Sequence, residues 1–328
     1  MNNIEFSRRE LRELSMLGPS GCLGKFFLTR LSSDSPSSII CLVADSCTFS
    51  GLGGVSRKYP DSVINVGIAE QNLLGVAGGL AANGFNPFVS GYSSFLSLRS
   101  ADQVKVVMAY MNLPVKLIGL TSGYAVSSLG PTHLCLEDLS LMCSFPNIMV
   151  LSPSDGVSIM SILALAEKTT SPVYIRMPGT LNLPIIYKNR FEAVLGGSNR
   201  LKEGEEIEIL SYGSMIETSL KVAEKLEKAG VSVGLTDVYS LRPLDTRRLA
   251  SLAHLSYIVI IEEHSVFGGL GSLVEDFYGS FCHRPKILKF GHSGNYPHAA
   301  SYSATLHQMG LSPDIIANKV MKELKHEQ

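Results

Sequence analysis

Charge is what this chain has least of. Only 17% of its 328 residues are charged and the net charge is −1, so no basic field draws in nucleic acid. Long hydrophobic runs are missing as well. The longest, such as Ile39 to Ala44, fall far short of a bilayer span. The opening stretch, Met1 to Glu10, is polar and charged and forms no signal-peptide hydrophobic region. Cys22, Cys41, Cys47, Cys135, Cys143 and Cys282 include no Cys-x-x-Cys pair and no histidine at metal spacing. That points to reduced thiols, a cytoplasmic setting and no metal site in this chain. No internal repeat or low-complexity tract stands out. What is present is 45% apolar, in a chain long enough for two ordinary domains with a core each. Such an apolar surplus suits a subunit that buries large faces against partners.

Residues 1–38 read as an N-terminal arm and linker, with an Arg/Glu-rich helix-like start, a Gly-Pro-Ser-Gly turn at 18–21 and a Ser/Pro-rich stretch from Ser32 to Ser38. Short apolar runs then alternate with helical patterns, as in a parallel sheet with crossover helices. Strands are expected at 39–44, 63–66, 87–90, 115–121, 148–151 and 173–176, with helices at 70–83, 95–111, 136–143 and 154–168. This first domain covers 39–185. A Pro, Gly and Asn-rich break makes 186–200 a linker. In 201–328 a second alternation places strands at 207–211, 231–236, 257–262 and 286–290 and helices at 215–229, 245–254 and 271–281. The fold class is α/β: two doubly wound domains, the first with a mostly parallel sheet, the second smaller.

The most informative segment is Asn65-Val66-Gly67-Ile68-Ala69-Glu70-Gln71-Asn72. It sets one carboxylate, Glu70, at the junction of a strand-like run and a small-residue helix pattern, a place that opens into the cleft above an α/β sheet. Three further motifs follow in order: Gly91-Tyr92-Ser93-Ser94-Phe95-Leu96, then Gly130-Pro131-Thr132-His133, then Glu137-Asp138. Together they resemble the pyrimidine-binding domain of transketolase-type thiamine diphosphate enzymes. The likeness runs from about Ile39 to Ile316.

That resemblance implies roles residue by residue. Glu70 is the carboxylate that exchanges a proton with N1′ of the cofactor's aminopyrimidine, from which the activated cofactor arises. Tyr92 and Phe95 flank the flat ring, which gains most from stacking, and Asp45 and Ile68 join the cofactor-binding set. His133 contacts the sugar's reacting end and moves protons or stabilises an oxyanion. Arg176, ending an expected strand, matches the arginine that holds a substrate phosphate with its forked donors. Arg99 and Asp102, three apart, are expected to pair on one helix face in a structural role at a subunit interface. In the second domain, Gly268-Gly269-Leu270-Gly271 opens a helix and is able to bind an anion. His283, His292, His298 and His307 read as surface.

The chain also departs from the pattern. Leu129 stands where transketolases carry an acidic residue before Gly-x-Thr-His, and Thr121 where they carry a histidine. An apolar side chain cannot supply the hydrogen bond that reads a donor hydroxyl, so a non-standard substrate is expected. The whole diphosphate-binding domain with its Gly-Asp-Gly is missing from the sequence. The resemblance therefore implies the second subunit of a split transketolase. An N-terminal subunit would bring the diphosphate and Mg2+ site, in an α2β2 assembly with a self-association contact. The activity implied is transfer of a two-carbon ketol unit between a ketose-type donor and an aldehyde-type acceptor. Two alternatives stay open: an acyl-transferring or decarboxylating enzyme similar to 1-deoxyxylulose-5-phosphate synthase or the 2-oxo acid dehydrogenase beta subunit, and a non-catalytic assembly subunit.

Overall fold

The computed structural model describes residues 7–32, 38–179, 182–189 and 191–326; the first six residues and 33–37 of the expected Ser/Pro-rich stretch lie outside it. Helix α1 (Arg8–Leu31) starts with a capping box, the Ser7 hydroxyl accepting from the Glu10 amide while the Ser7 amide donates to the Glu10 carboxylate at 2.9 Å. The turn expected at 18–21 is a kink within this helix. Gly18 takes φ 64° and Pro19 follows it, where a proline is tolerated because the helix restarts.

The first sheet takes six parallel strands from the first half of the chain: β1 (Ile39–Val43), β2 (Val63–Asn65), β3 (Asn86–Tyr92), β4 (Lys116–Leu120), β5 (Met149–Leu151) and β6 (Val173–Arg176). Helices α2 (Gly53–Lys58), α3 (Glu70–Ala82), α4 (Ala101–Gln103), α5 (Asp138–Ser144) and α6 (Gly156–Lys168) lie in the connections. The helix expected over 95–111 is present with an unusual pitch: α4 sits between two π-helical stretches, Phe95–Arg99 and Val104–Tyr110. Every residue of β4 and β6 is buried, as helices on both faces of a parallel sheet require.

The second sheet holds β7 (Asn199–Lys202), β8 (Ile207–Ser211) and β9 (Val233–Asp237), then, after β10 (Ser240–Arg242), β11 (Tyr257–Ser265) and β12 (Lys286–His292), in the order β12-β11-β8-β9-β7. Its helices are α7 (Met215–Lys228), α8 (Thr246–Ser251), α9 (Leu270–Tyr278), α10 (Tyr302–Gln308) and α11 (Pro313–His326). Both sheets belong to α/β layers, as the alternation of patterns predicts. Two features leave no trace in that alternation. Strand β7 already begins within the expected 186–200 linker, whose Ile186 and Tyr187 amides donate to the Asp155 carboxylate at 3.0 and 2.8 Å. And β10 leaves its own domain: it pairs antiparallel with β5 and completes the first sheet as a seventh strand.

The two halves therefore share a core. Leu139, Met142 and Val150 of the first half pack in one apolar cluster with Tyr212, Leu241 and Tyr278 of the second. The Gly-rich turn before α9 is occupied from within: the Glu262 carboxylate accepts from the Leu270 and Gly271 amides at 2.8 and 3.1 Å and from the Tyr212 hydroxyl at 3.0 Å. The anion-binding capacity of this turn is thus taken up by the chain's own carboxylate. No helix among the described residues is long and apolar enough to cross a membrane.

Candidate functional site

The ends of β1 and β2 are tied by one side chain. Asn65 accepts from the backbone amides of Asp45 at 2.9 Å and of Gly67 at 3.0 Å, so the turn after β2 is held against the turn after β1. Asp45 and Gly67 both have positive φ, 60° and 75°, and at Gly67 a glycine meets that demand at no steric cost. The chain turns sharply there and α3 begins at Glu70, whose carboxylate benefits from the first-turn amides. Glu70 is 7% exposed while Ile68, two residues earlier, is 77% exposed. Arg99 donates to the Glu70 carboxylate at 2.8 Å and lies over the Phe95 ring, 4.2 Å from its centroid. The expected Arg99–Asp102 pair is thus replaced by one to Glu70, because the π-helical turn ending at Arg99 carries it back toward α3.

Phe95, under the Arg99 guanidinium, belongs to a group of four rings. Tyr92, at the end of β3, stacks on Phe49 with centroids 4.5 Å apart and an 11° interplanar angle. Phe95 tilts against Tyr92 at 5.5 Å. The His133 ring stands edge-on to both, 5.7 Å from Tyr92 and 5.4 Å from Phe95, with its Nδ1 3.0 Å from the Thr132 hydroxyl. Phe49 escapes a reading of motifs because it is a single apolar residue in a polar loop. What places it is α1: Gly24 meets the Gly51 backbone so closely that a Cβ has no room, which fixes the loop that carries Phe49.

The loop that delivers His133 is seated on the second domain. Gly123 (φ 67°) exchanges backbone bonds with Cys135 and packs against the Glu263 side chain, where no Cβ fits. Tyr124 places its hydroxyl 2.9 Å from Nδ1 of His292, and Ser127 donates to the Ala300 carbonyl at 3.0 Å. Tyr302 donates to Glu263, Tyr296 donates to Glu137, and the Ser265 amide donates to the Leu136 carbonyl at 2.8 Å. Burial holds the Glu263 carboxyl above its ordinary pKa and the His292 imidazole below. His292 is 8% exposed, a correction to its reading as a surface residue; His283, His298 and His307 are exposed. Within the same loop region, Thr121 has φ 55° and turns its hydroxyl onto the Leu120 carbonyl at 2.7 Å. Leu129, in a short 3-10 turn before Gly130, is 52% exposed.

Arg176 lies apart from the ring cluster, held by internal partners. It is 3% exposed, and its Nε donates to both Asp138 oxygens at 3.1 and 3.0 Å. Its Nη2 donates to the carbonyls of Cys135 at 3.2 Å and of Glu263 at 2.8 Å, while Tyr174 donates to Asp138 at 2.7 Å. Through Nε and Nη2 the guanidinium ties the His133 loop to β11. Among the described residues no cluster of histidine, cysteine, aspartate or glutamate is arranged to hold a metal ion.

The chain is similar to known proteins along most of its length. Residues 31–182 match the family model of the transketolase pyrimidine binding domain, and residues 196–316 that of the transketolase C-terminal domain. The chain is 36% identical over 239 residues to a subunit of the apulose-4-phosphate transketolase of Actinobacillus succinogenes, covering 73% of this chain and 76% of that protein. It is 35% identical over 248 residues to a 6-deoxy-6-sulfo-D-fructose transketolase subunit of Clostridium sp. (strain MSTE9), covering 75% and 77%. A solved structure described as a split gene transketolase, inactive beta4 tetramer, superimposes with a TM-score of 0.82 at 31% identity, covering 94% of this chain and 98% of that one.

Proposed function

This chain belongs to the transketolase family, and we propose that it is the pyrimidine-binding subunit of a thiamine diphosphate-dependent transferase that moves a two-carbon ketol unit from a ketose-type donor to an aldehyde-type acceptor. The observation that carries this reading is the nearly buried Glu70 carboxylate, linked through Arg99 to the Phe95 ring, against which Tyr92 and His133 pack. A flat ring bearing a basic nitrogen fits that donor set, needing apolar faces to stack on and one carboxylate to share a proton. When bound, thiamine diphosphate supplies the nucleophilic carbon that carries the two-carbon unit. Glu70 would hold a proton against the ring nitrogen N1′, Tyr92 and Phe95 would fix the plane of the ring, and His133 would hold or pass a proton at the donor's oxygen.

The diphosphate and Mg2+ fall to a separate N-terminal subunit in this reading, supported by relatives described as subunits and by the 31% identical split gene transketolase. An α2β2 assembly with a self-association contact is consistent with the beta4 tetramer of the 31% identical split protein. Leu129 and Thr121 point to a modified ketose as donor, and the 6-deoxy sulfo sugar in one relative's description supports that class. Calorimetric titration of the purified chain with cofactor and Mg2+ is expected to give weak binding; micromolar affinity without a partner would sink the split-site reading. In the reconstituted complex, Glu70→Gln is expected to slow hydrogen–deuterium exchange at the cofactor's C2 and to lower kcat, because an amide keeps the shape but cannot exchange the proton. An unchanged exchange rate removes Glu70 from the mechanism.

A further inference from the structure

The contact between Arg99 and Glu70 bears on how this site is occupied before any ligand arrives. The Glu70 side chain is 9% exposed, and its one charged partner among the described residues is the Arg99 guanidinium at 2.8 Å. The same guanidinium lies over the Phe95 ring, 4.2 Å from the centroid. A planar, delocalised, N–H-bearing group that donates to a carboxylate and stacks on an aromatic ring is the nearest thing a protein side chain offers to an aminopyrimidine. Under the proposed function, which this inference rests on, the cofactor ring takes its proton from Glu70 and its stacking from Phe95. Arg99 already holds both.

We propose that Arg99 is a placeholder: it covers Glu70 and Phe95 in the cofactor-free subunit and swings to solvent when the pyrimidine enters, so that it sets cofactor affinity. Two features make this workable. A buried carboxylate left without a partner is costly, so the empty site needs a cation. And that cation is cheap to release, because the Arg99 side chain is 47% exposed. The backbone need not follow. The Gln71 side-chain amide donates to the Arg99 carbonyl at 3.3 Å, and the Ser100 hydroxyl to the Phe95 carbonyl at 3.3 Å, which ties down the turn while the Arg99 side chain rotates. Asp102, exposed and three residues on, offers the departing guanidinium a new acceptor. A guanidinium kept against Glu70 would instead occupy the carboxylate oxygen that the ring nitrogen needs.

The test compares wild type, Arg99→Gln, Arg99→Lys and Glu70→Ala in the complex with the partner subunit, titrated with thiamine diphosphate and Mg2+ by calorimetry. Arg99→Gln is expected to bind the cofactor about 3- to 10-fold more tightly, the scale of one half-exposed ion pair with a cation–π contact. It should also melt earlier than wild type without cofactor but not with it. Glu70→Ala is expected to bind more weakly. Arg99→Lys, which keeps the charge but not the plane, should fall between wild type and Arg99→Gln, and it carries the comparison if the glutamine variant does not fold. Unchanged or weaker binding in the Arg99 variants, with Glu70→Ala still weakened, overturns the placeholder and leaves the proposed function standing. Unchanged binding in Glu70→Ala overturns the pyrimidine site itself.

Discussion

At Leu129 a half-exposed apolar side chain stands where the family pattern puts a carboxylate, four residues before His133. Its side chain cannot accept a hydrogen bond from a donor hydroxyl. Leu129→Asp is therefore expected to raise kcat/KM for xylulose 5-phosphate or fructose 6-phosphate by about 10- to 100-fold in the reconstituted complex, the scale of one recognised hydroxyl. If the wild type already turns these donors over at ordinary transketolase efficiency, Leu129 does not set specificity. Other residues show how far sequence reading reaches at this scale. Glu70, Tyr92, Phe95 and His133 lie in contiguous motifs, so the pattern names them as a group, and the fold brings the three rings within 6 Å of one another. Arg176 reads as a phosphate ligand in the sequence, whereas its burial and its internal partners show only in the fold. Its acceptors lie 38, 41 and 87 residues away along the chain.

Among the elements, the loop from Thr121 to Glu137 is the one whose conformation the second domain decides. Arg176 fastens its C-terminal end through Asp138 and Cys135 and reaches across to Glu263. Among the described residues, Arg176→Met leaves the fully buried Asp138 with the Tyr174 hydroxyl and the more distant His264 imidazole, 4.0 Å away. Breaking a buried ion pair from one side is expected to cost about 3–5 kcal/mol, read as a lower Tm of the complex. Arg176→Lys should recover only part, since one ammonium cannot reproduce the fork. Stability unchanged in the methionine variant, with KM raised for phosphorylated substrates alone, would favour the phosphate-binding role over the structural one. The helical segment after Phe95 shows the same limit for an element. Its apolar pattern predicts a helix, yet the π-helical pitch that turns Arg99 toward Glu70 leaves no mark in composition.

Across the whole molecule the two domains are joined by buried polar groups as well as by a shared core. Asp237, at the end of β9, accepts from Ser154 at 2.8 Å and from Tyr187 at 2.6 Å, with Asp155 nearby; burial is the main cause that pushes its carboxyl up to about 7. The folded state thus holds a proton that the unfolded chain releases near pH 4, so this contribution is full below about pH 4 and is lost as pH rises through about 7. Asp237→Asn, which stays neutral, is expected to match wild type below about pH 4, to pull ahead progressively above it, and to exceed it by on the order of a few kcal/mol at about pH 8, measured by denaturant unfolding. Parallel pH curves for the two proteins would place the proton elsewhere. The α/β class, most strands and helices, and the motif group around Glu70 follow from the linear chain, because apolar periodicity and contiguous motifs are local properties. Only the folded molecule settles that β10 completes the other domain's sheet, that Glu262 fills its own helix terminus, that Arg176 is buried among internal partners, and that Arg99 faces Glu70. Each depends on which distant backbone groups and charges share a space from which water is excluded, and a linear pattern carries no record of that.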